Sequence, residues 1–314
     1  MKLIVRADDV GYTKVHNLGT WKAIEEGIAT CADVMLDTPG TEDALEHLRD
    51  IPWISIGWHA HFWGSPVLPA ESVPTLIDPE RGHFRRDLDS QEISEEEAKK
   101  ELREELDRCI DIYGKAPGYI EFSFEPSTPF GSAMYAVLEE YGIAHHFISD
   151  DGTMMPESIL KLIPKKKNPD GSEGAPQIEA RWAYDKWLDR KIFAANIVGY
   201  AVLEDTLSDA MAYDPVGHFL KNAPVLLQRP SDQTFFTAWH PGYVDAYVMY
   251  EGDRGVFAKN FLLTRPVDTE ALCDRRMKDW VIENKVELVS MADAIYGTRT
   301  YQNHLRAIGS PLAV

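Results

Sequence analysis

The sequence predicts an α/β fold: a distorted, TIM-barrel-like (β/α) barrel forming a single domain over residues 1–314. Three observations predict it. Roughly eight short apolar or β-branched runs, bounded by Gly, Pro or Asp, alternate with helical patterns, as a parallel sheet requires. The first run ends in Asp8-Asp-Val-Gly-Tyr12 and not in the GxGxxG of a dinucleotide-binding open sheet, which favours a barrel over a doubly wound sheet. A chain of 314 residues, 44% hydrophobic and without repeats or an evident linker, can bury a barrel-sized core.

The elements follow in order. Leu3–Ala7 is the first strand, and Asn17–Glu26, closed by Gly27, the first helix. Ala32–Leu36 precedes Thr41–Arg49, a helix that opens Thr-Glu-Asp in the manner of an N-cap, and Trp53–Trp58 is the third strand. Ser94–Tyr113 is the clearest helix: Ser94-Glu-Glu-Glu97 has the capping-box pattern, and Leu102, Leu106, Ile110 and Tyr113 recur at helical spacing before Gly114. Tyr119–Phe124, His145–Ser149, Gln177–Trp182, Thr234–Trp239 and Glu287–Ser290 complete the strands. Val137–Tyr141 and Thr269–Asn284 are further helices. Loop excursions are expected near 164–190, starting with Lys165-Lys-Lys167, and near 247–267, where they would shape a mouth or a homo-oligomer contact.

Bulk chemistry narrows the partners. A formal charge of -19 argues against nucleic acid and anionic membrane surfaces and favours a neutral or cationic small molecule. Cys31, Cys109 and Cys273 lie far apart without a CxxC, so neither disulfides nor a cysteine zinc site is indicated, and reduced thiols suit the cytoplasm. No apolar run approaches the roughly 20 residues that span a bilayer, and no signal-peptide pattern precedes the first strand, so a soluble, untargeted protein is expected.

Barrels gather their chemistry at the carboxyl ends of strands, and four ends here are polar. The first strand supplies Asp8 and Asp9; alternation would send neighbouring side chains to opposite faces, unless the backbone leaves the strand there. One could hold a metal while the other handles protons, and the alternative is a pair that merely opens the next helix. The third strand runs into Gly57-Trp-His59-Ala-His61-Phe-Trp63, in which the two histidines share a face as metal ligands or substrate contacts. The fourth offers Glu121, Ser123 and Glu125 on one face; a carboxylate directed into a barrel needs a partner or a cation. The seventh ends in Trp239-His240-Pro-Gly-Tyr243. A divalent ion held by such groups polarises a carbonyl and acidifies water, a second carboxylate takes the proton, and amide cleavage also needs an acid, for which His240 is the candidate.

These motifs resemble the YdjC-like carbohydrate deacetylases, the group that includes the chitooligosaccharide deacetylases. Ala7-Asp-Asp-Val-Gly11 matches the first family motif, Gly27-Ile-Ala-Thr-Cys31 the segment after the helix, and Gly57-Trp-His59 the Gly-x-His motif. Gly114-Lys-Ala-Pro117 and His240-Pro-Gly242 follow in register. The resemblance implies that Asp9 and His59 bind a divalent metal, that Asp8 is the general base and His240 the acid. It also implies removal of an acetyl group from N-acetylated sugars on a distorted barrel.

One departure stands out. Where the family reads Asp-x-His-x-His-x-His, this chain has Glu121-Phe-Ser-Phe-Glu-Pro-Ser127, which places Ser123 at the third metal-ligand position. Glu125 is the preferred replacement, with His61 or loss of the metal as the alternatives, and an Asp, His and Glu set would accept Zn or Mg, with Mn possible. His61, Trp63 and Tyr243 are the candidate substrate contacts; of Trp58, Trp63, Trp182, Tyr184, Trp187 and Trp239, two or three at most would touch a sugar. The expected function is a metal-dependent N-deacetylase of an amino sugar or short oligosaccharide. A sugar lyase or isomerase would differ in product mass, and a non-catalytic carbohydrate-binding relative would bind sugar without a stoichiometric ion.

Overall fold

A computed structural model gives the fold and describes residues 1–121, 124–149, 165–167, 170–176, 179–182, 184, 186–187, 190–195, 208, 211–229, 231–250 and 260–314. The chain begins with β1 (Lys2–Val10), α1 (Lys14–Glu25), β2 (Cys31–Val34), α2 (Thr41–Arg49), β3 (Ser55–Trp58) and α3 (Glu95–Tyr113). It continues through β4 (Tyr119–Ile120), α4 (Pro129–Tyr141), β5 (His146–Ser149), β6 (Lys165–Lys167), β7 (Glu173–Pro176), β8 (Glu179–Trp182) and β9 (Ile192–Ala194). The last third holds α5 (Pro215–Asn222), β10 (Thr234–Trp239), α6 (Ala246–Tyr250), α7 (Asn260–Cys273), α8 (Arg275–Glu283), β11 (Glu287–Leu288), α9 (Met291–Tyr296) and α10 (Thr300–Ala307).

The main sheet runs β4-β3-β2-β1-β10-β9 with every pairing parallel, and β11 joins the first residues of β1. It curls with helices around it into a distorted (β/α) barrel. β1 is its centre: Leu3, Ile4, Val5, Ala7 and Val10 are fully buried on both faces, as expected of a parallel strand covered on both sides. The Gly57-x-His spacing acquires a packing reason here, because a Cβ on Gly57 would stand 2.3 Å from the Tyr119 ring on the neighbouring strand. α1 starts where the Thr13 side chain accepts from His16 N, and Asn17 ties its first turn to the end of β1 by accepting from Gly11 N at 2.8 Å.

Several sequence expectations are corrected. His145–Ser149 and Gln177–Trp182 were expected as barrel strands, but β5 and β8 pair antiparallel with each other in a separate two-stranded sheet. Ile192–Ala194 takes the edge place beside β10 instead; three residues give too short a pattern to stand out in sequence. Thr269–Asn284 divides at Asp274, whose side chain caps α8. The helix read at Val137–Tyr141 starts earlier, with Thr128 as N-cap and Pro129 in its first turn. The second excursion is helical over its final third, since α7 begins at Asn260, and the first contains the β6–β7 hairpin. At α3, Ser94 caps Glu97 N as expected, yet Glu97 does not reach back: its carboxylate accepts from Thr75 N and Thr75 Oγ1, both at 2.8 Å.

Candidate active site and metal centre

The carboxyl ends of β1, β3, β4 and β10 converge. Between Ala7 and Val10 the register of β1 against β2 shifts, and Asp9 adopts φ 58°, a left-handed conformation that Asp tolerates better than most residues. This break in the pleat lets two adjacent carboxylates face one cluster. Asp8 Oδ2 lies 4.0 Å from His240 Nε2, while Asp9 Oδ1 lies 2.8 Å from His59 Nε2.

After β3 the backbone stops being extended. His61 N donates to His59 O at 2.9 Å, which closes a tight turn at Ala60, and Phe62 has φ 56°. The two imidazoles, expected to share a face through strand alternation, are instead brought together by this turn, with ring centroids 4.2 Å apart at 89°. His61 Nε2 reaches to 3.6 Å from Asp9 Oδ1, and its ring stacks on Trp63 at 3.8 Å.

Glu121 continues from β4, with its N–H donating to Trp58 O. Its carboxylate accepts from Arg6 and stands 2.7 Å from His59 Nδ1. Ser123 lies outside the described residues. Glu125 is exposed at the start of α4, where its carboxylate accepts from Ser127 Oγ at 3.0 Å; the structure does not gather it with Asp9 and His59. At the end of β10, His240 N donates to Asp268 Oδ2 at 2.9 Å, and Tyr213 OH donates to the other oxygen at 2.7 Å. Tyr243 donates its N–H to His16 O.

Two arginines and a histidine escaped the sequence reading. Arg6 makes a two-pronged pair with Asp8, at 2.7 and 2.9 Å, and also meets Asp33 and Glu121. Arg265 from α7 places Nη1 2.6 Å from Asp9 Oδ2 and 3.3 Å from His16 Nε2, beside the Tyr12 ring. An arginine within the apolar run Leu3–Ala7 was the available signal for Arg6, since a buried guanidinium demands carboxylates. Arg265 gave none, because Arg265-Pro266 reads as a helix break and the prolyl residue in fact lies inside α7.

Among the described residues, the buried Asp8, Asp9 and Asp33 and the half-buried Glu121 thus face two buried guanidiniums and the His59 imidazole. Burial drives Asp8 up to about 8 and Asp33 up to about 6, against the pull of Arg6 on both. Burial also opposes charge on Asp9, but Arg265 and the His59 hydrogen bond outweigh it and hold the carboxylate below its usual range. His59 is held above the usual imidazole range: burial opposes its charge, and Glu121 and Asp9 overcome it. His240 is pushed down to about 3 by burial, with Arg265 and His59 adding to the effect, so its resting imidazole is neutral.

The site fits a divalent cation on two counts. Asp9, His59 and His61 offer one carboxylate and two imidazoles with ligand atoms within 4.8 Å of one another. Glu121 on Nδ1 of His59 also gives the carboxylate–imidazole arrangement that fixes a ligating histidine through its other nitrogen. Of the aromatic candidates, Trp58, Trp182, Trp187 and Trp239 are buried in the core; Trp63 borders the site with Tyr12 and Tyr247.

Comparison with known proteins places the chain among its relatives. The profile of the YdjC-like protein family matches residues 2–283. A carbohydrate deacetylase of Brevibacillus brevis is 32% identical over 191 residues, covering 52% of this chain and 75% of the relative. Carbohydrate deacetylase 2 of Listeria innocua is 24% identical over 299 residues, covering 93% of this chain and 98% of the relative. A crystal structure of a putative cellobiose-phosphate cleavage protein from Enterococcus faecalis shares the fold, with a TM-score of 0.57 at 18% identity over 92% of this chain and 97% of that one. With the family profile spanning nearly the whole chain, this chain belongs to the YdjC-like protein family.

Proposed function

We propose that this protein is a metal-dependent hydrolase that removes the N-acetyl group from an amino sugar or short oligosaccharide. The observation that carries the reading is the line Asp9–His59–Glu121, with Asp8 and His240 4.0 Å apart beside it. The names of the relatives supply the sugar and the acyl transfer to water. Asp9 and His59 would hold the ion, which when bound supplies Lewis-acid polarisation of the amide carbonyl and acidifies water towards about 7.

The chain's own residues handle the protons. In its ionised form Asp8 takes one from the attacking water, and Arg6, bonded to both of its oxygens, fixes its orientation. The resting His240 is neutral and can donate only after receiving a proton. Asp8 Oδ2, at 4.0 Å from Nε2, is near enough to supply it through a bridging water. Protonated His240 then delivers it to the departing amine, which leaves as a neutral amino sugar beside acetic acid, and the acid's remaining proton is lost to solvent as acetate forms. Trp63 presents a ring beside His61 on which a sugar face can stack.

The test is acetate release from a panel of N-acetylated mono- and oligosaccharides by metal-loaded protein. Release that disappears with chelator and returns with the ion supports the reading. A loaded protein that releases no acetate from any of them refutes it.

A further inference from the structure

We propose that His61 is the third protein ligand of the divalent ion, giving a centre of one carboxylate and two imidazoles, with both imidazoles supplied by the turn after β3. The inference deepens the metal-dependent reading above and rests on it.

Local backbone geometry makes the centre. The turn at Ala60 and the left-handed Phe62 bring His59 Nε2 and His61 Nε2 to 2.8 and 3.6 Å from the same oxygen, Asp9 Oδ1. Ligand atoms about 2.0–2.1 Å from a tetrahedral ion stand roughly 3.3 Å apart, so the observed separations straddle what such an ion needs. The other faces of the three groups are engaged. Arg265 takes Asp9 Oδ2, Glu121 takes His59 Nδ1, and the Trp63 ring lies flat against His61. The contacts on Asp9 Oδ2 and His59 Nδ1 leave Oδ1 and Nε2 towards each other, and the Trp63 stack fixes the plane of the His61 ring. Among the described residues, the segment after β4 thereby contributes a carboxylate, Glu121, that orients a ligand.

Glu125, the replacement expected from sequence, is engaged elsewhere: it is exposed and accepts from Ser127 at the start of α4. Two nitrogens and one oxygen suit a borderline ion of the zinc class better than magnesium, which prefers an all-oxygen octahedron. Three protein ligands leave a fourth position open, as a hydrolytic centre needs.

The test compares wild type, His61→Ala, His61→Cys and Glu125→Gln, with zinc affinity read by chelator competition and cobalt spectra read in parallel. His61→Ala should weaken zinc by more than the roughly 100-fold typical of losing an outer-shell partner. Glu125→Gln should bind like wild type. His61→Cys loaded with cobalt should show a thiolate-to-cobalt charge-transfer band absent from wild type, a signature that a merely structural residue cannot give and that guards against misfolding of the alanine variant. Wild-type affinity in His61→Ala, no such band in folded His61→Cys, or loss of zinc in Glu125→Gln would each overturn the proposal while leaving metal dependence intact. A wild-type protein that binds neither zinc nor cobalt would overturn both.

Discussion

Asp8 and Asp9 are neighbours with opposite surroundings: a guanidinium grips both oxygens of Asp8, whereas Asp9 divides its oxygens between Arg265 and two imidazoles. Different losses should follow. Asp8→Asn keeps the shape and removes the proton acceptor, so kcat for acetate release should fall about 10²- to 10⁴-fold with metal content unchanged by elemental analysis. Asp9→Ala removes the proposed ligand and the Asp9 carboxylate that pairs with buried Arg265, and should cost about 3–5 kcal/mol in urea denaturation as well as the ion. Gly242, in the His240-Pro-Gly motif, is needed for close approach: a Cβ there would stand 2.1 Å from His16 Nε2. Gly242→Ala must therefore displace the loop that carries His240, and a destabilisation of about 1–3 kcal/mol is expected by the same measurement.

At the scale of elements, the sequence disclosed most where one local signal dominates. Ser94, Gly114 and the apolar spacing defined α3 because capping and periodicity agree there, and β1, β3 and β10 were legible as apolar runs stopped by polar or turn residues. The strand ends therefore announced Asp8, Asp9, His59, His61 and His240. What stayed hidden depends on long-range pairing: nothing local tells β8 to pair antiparallel with β5, or brings Arg265 from α7 to Asp9. The side-chain roles of Glu97 and Glu125 were misjudged for a related reason, since partners two or more residues outside the pattern captured them. α3 also carries a buried acid, Glu101, that burial pushes up to about 7 although Val67 N and Leu68 N donate to it. With its folded value above the unfolded one near 4.5, the stability it contributes is complete below pH 4.5 and is lost as pH rises towards 7. Urea titrations over that range should show wild type losing stability relative to Glu101→Gln, and parallel curves for the two would refute the assignment.

Over the whole molecule, an ion held at the proposed centre would add to stability. A ligand that binds the folded state alone at 100 times its Kd adds about 2.7 kcal/mol, which for a chain of this size raises the melting temperature by about 4 °C. Scanning calorimetry with zinc and with chelator should show that difference, and it should shrink in His61→Ala. Among the described residues no helix is long and apolar enough to cross a membrane.

The pairing of β1 also sets an order in time. Asp8 and Asp9 belong to β1, which is synthesised long before its later partners, yet that strand is completed by β10, where Lys2 pairs with Thr234, and by β11, where Lys2 pairs with Glu287. Arg265 and His240 likewise arrive more than 200 residues after the carboxylates they meet. Such distant closures are slow, and a partly synthesised chain holds two acids with none of their late partners. During refolding, activity should return no sooner than the slowest structural phase, so the reaction itself reports that the last strands have found the first.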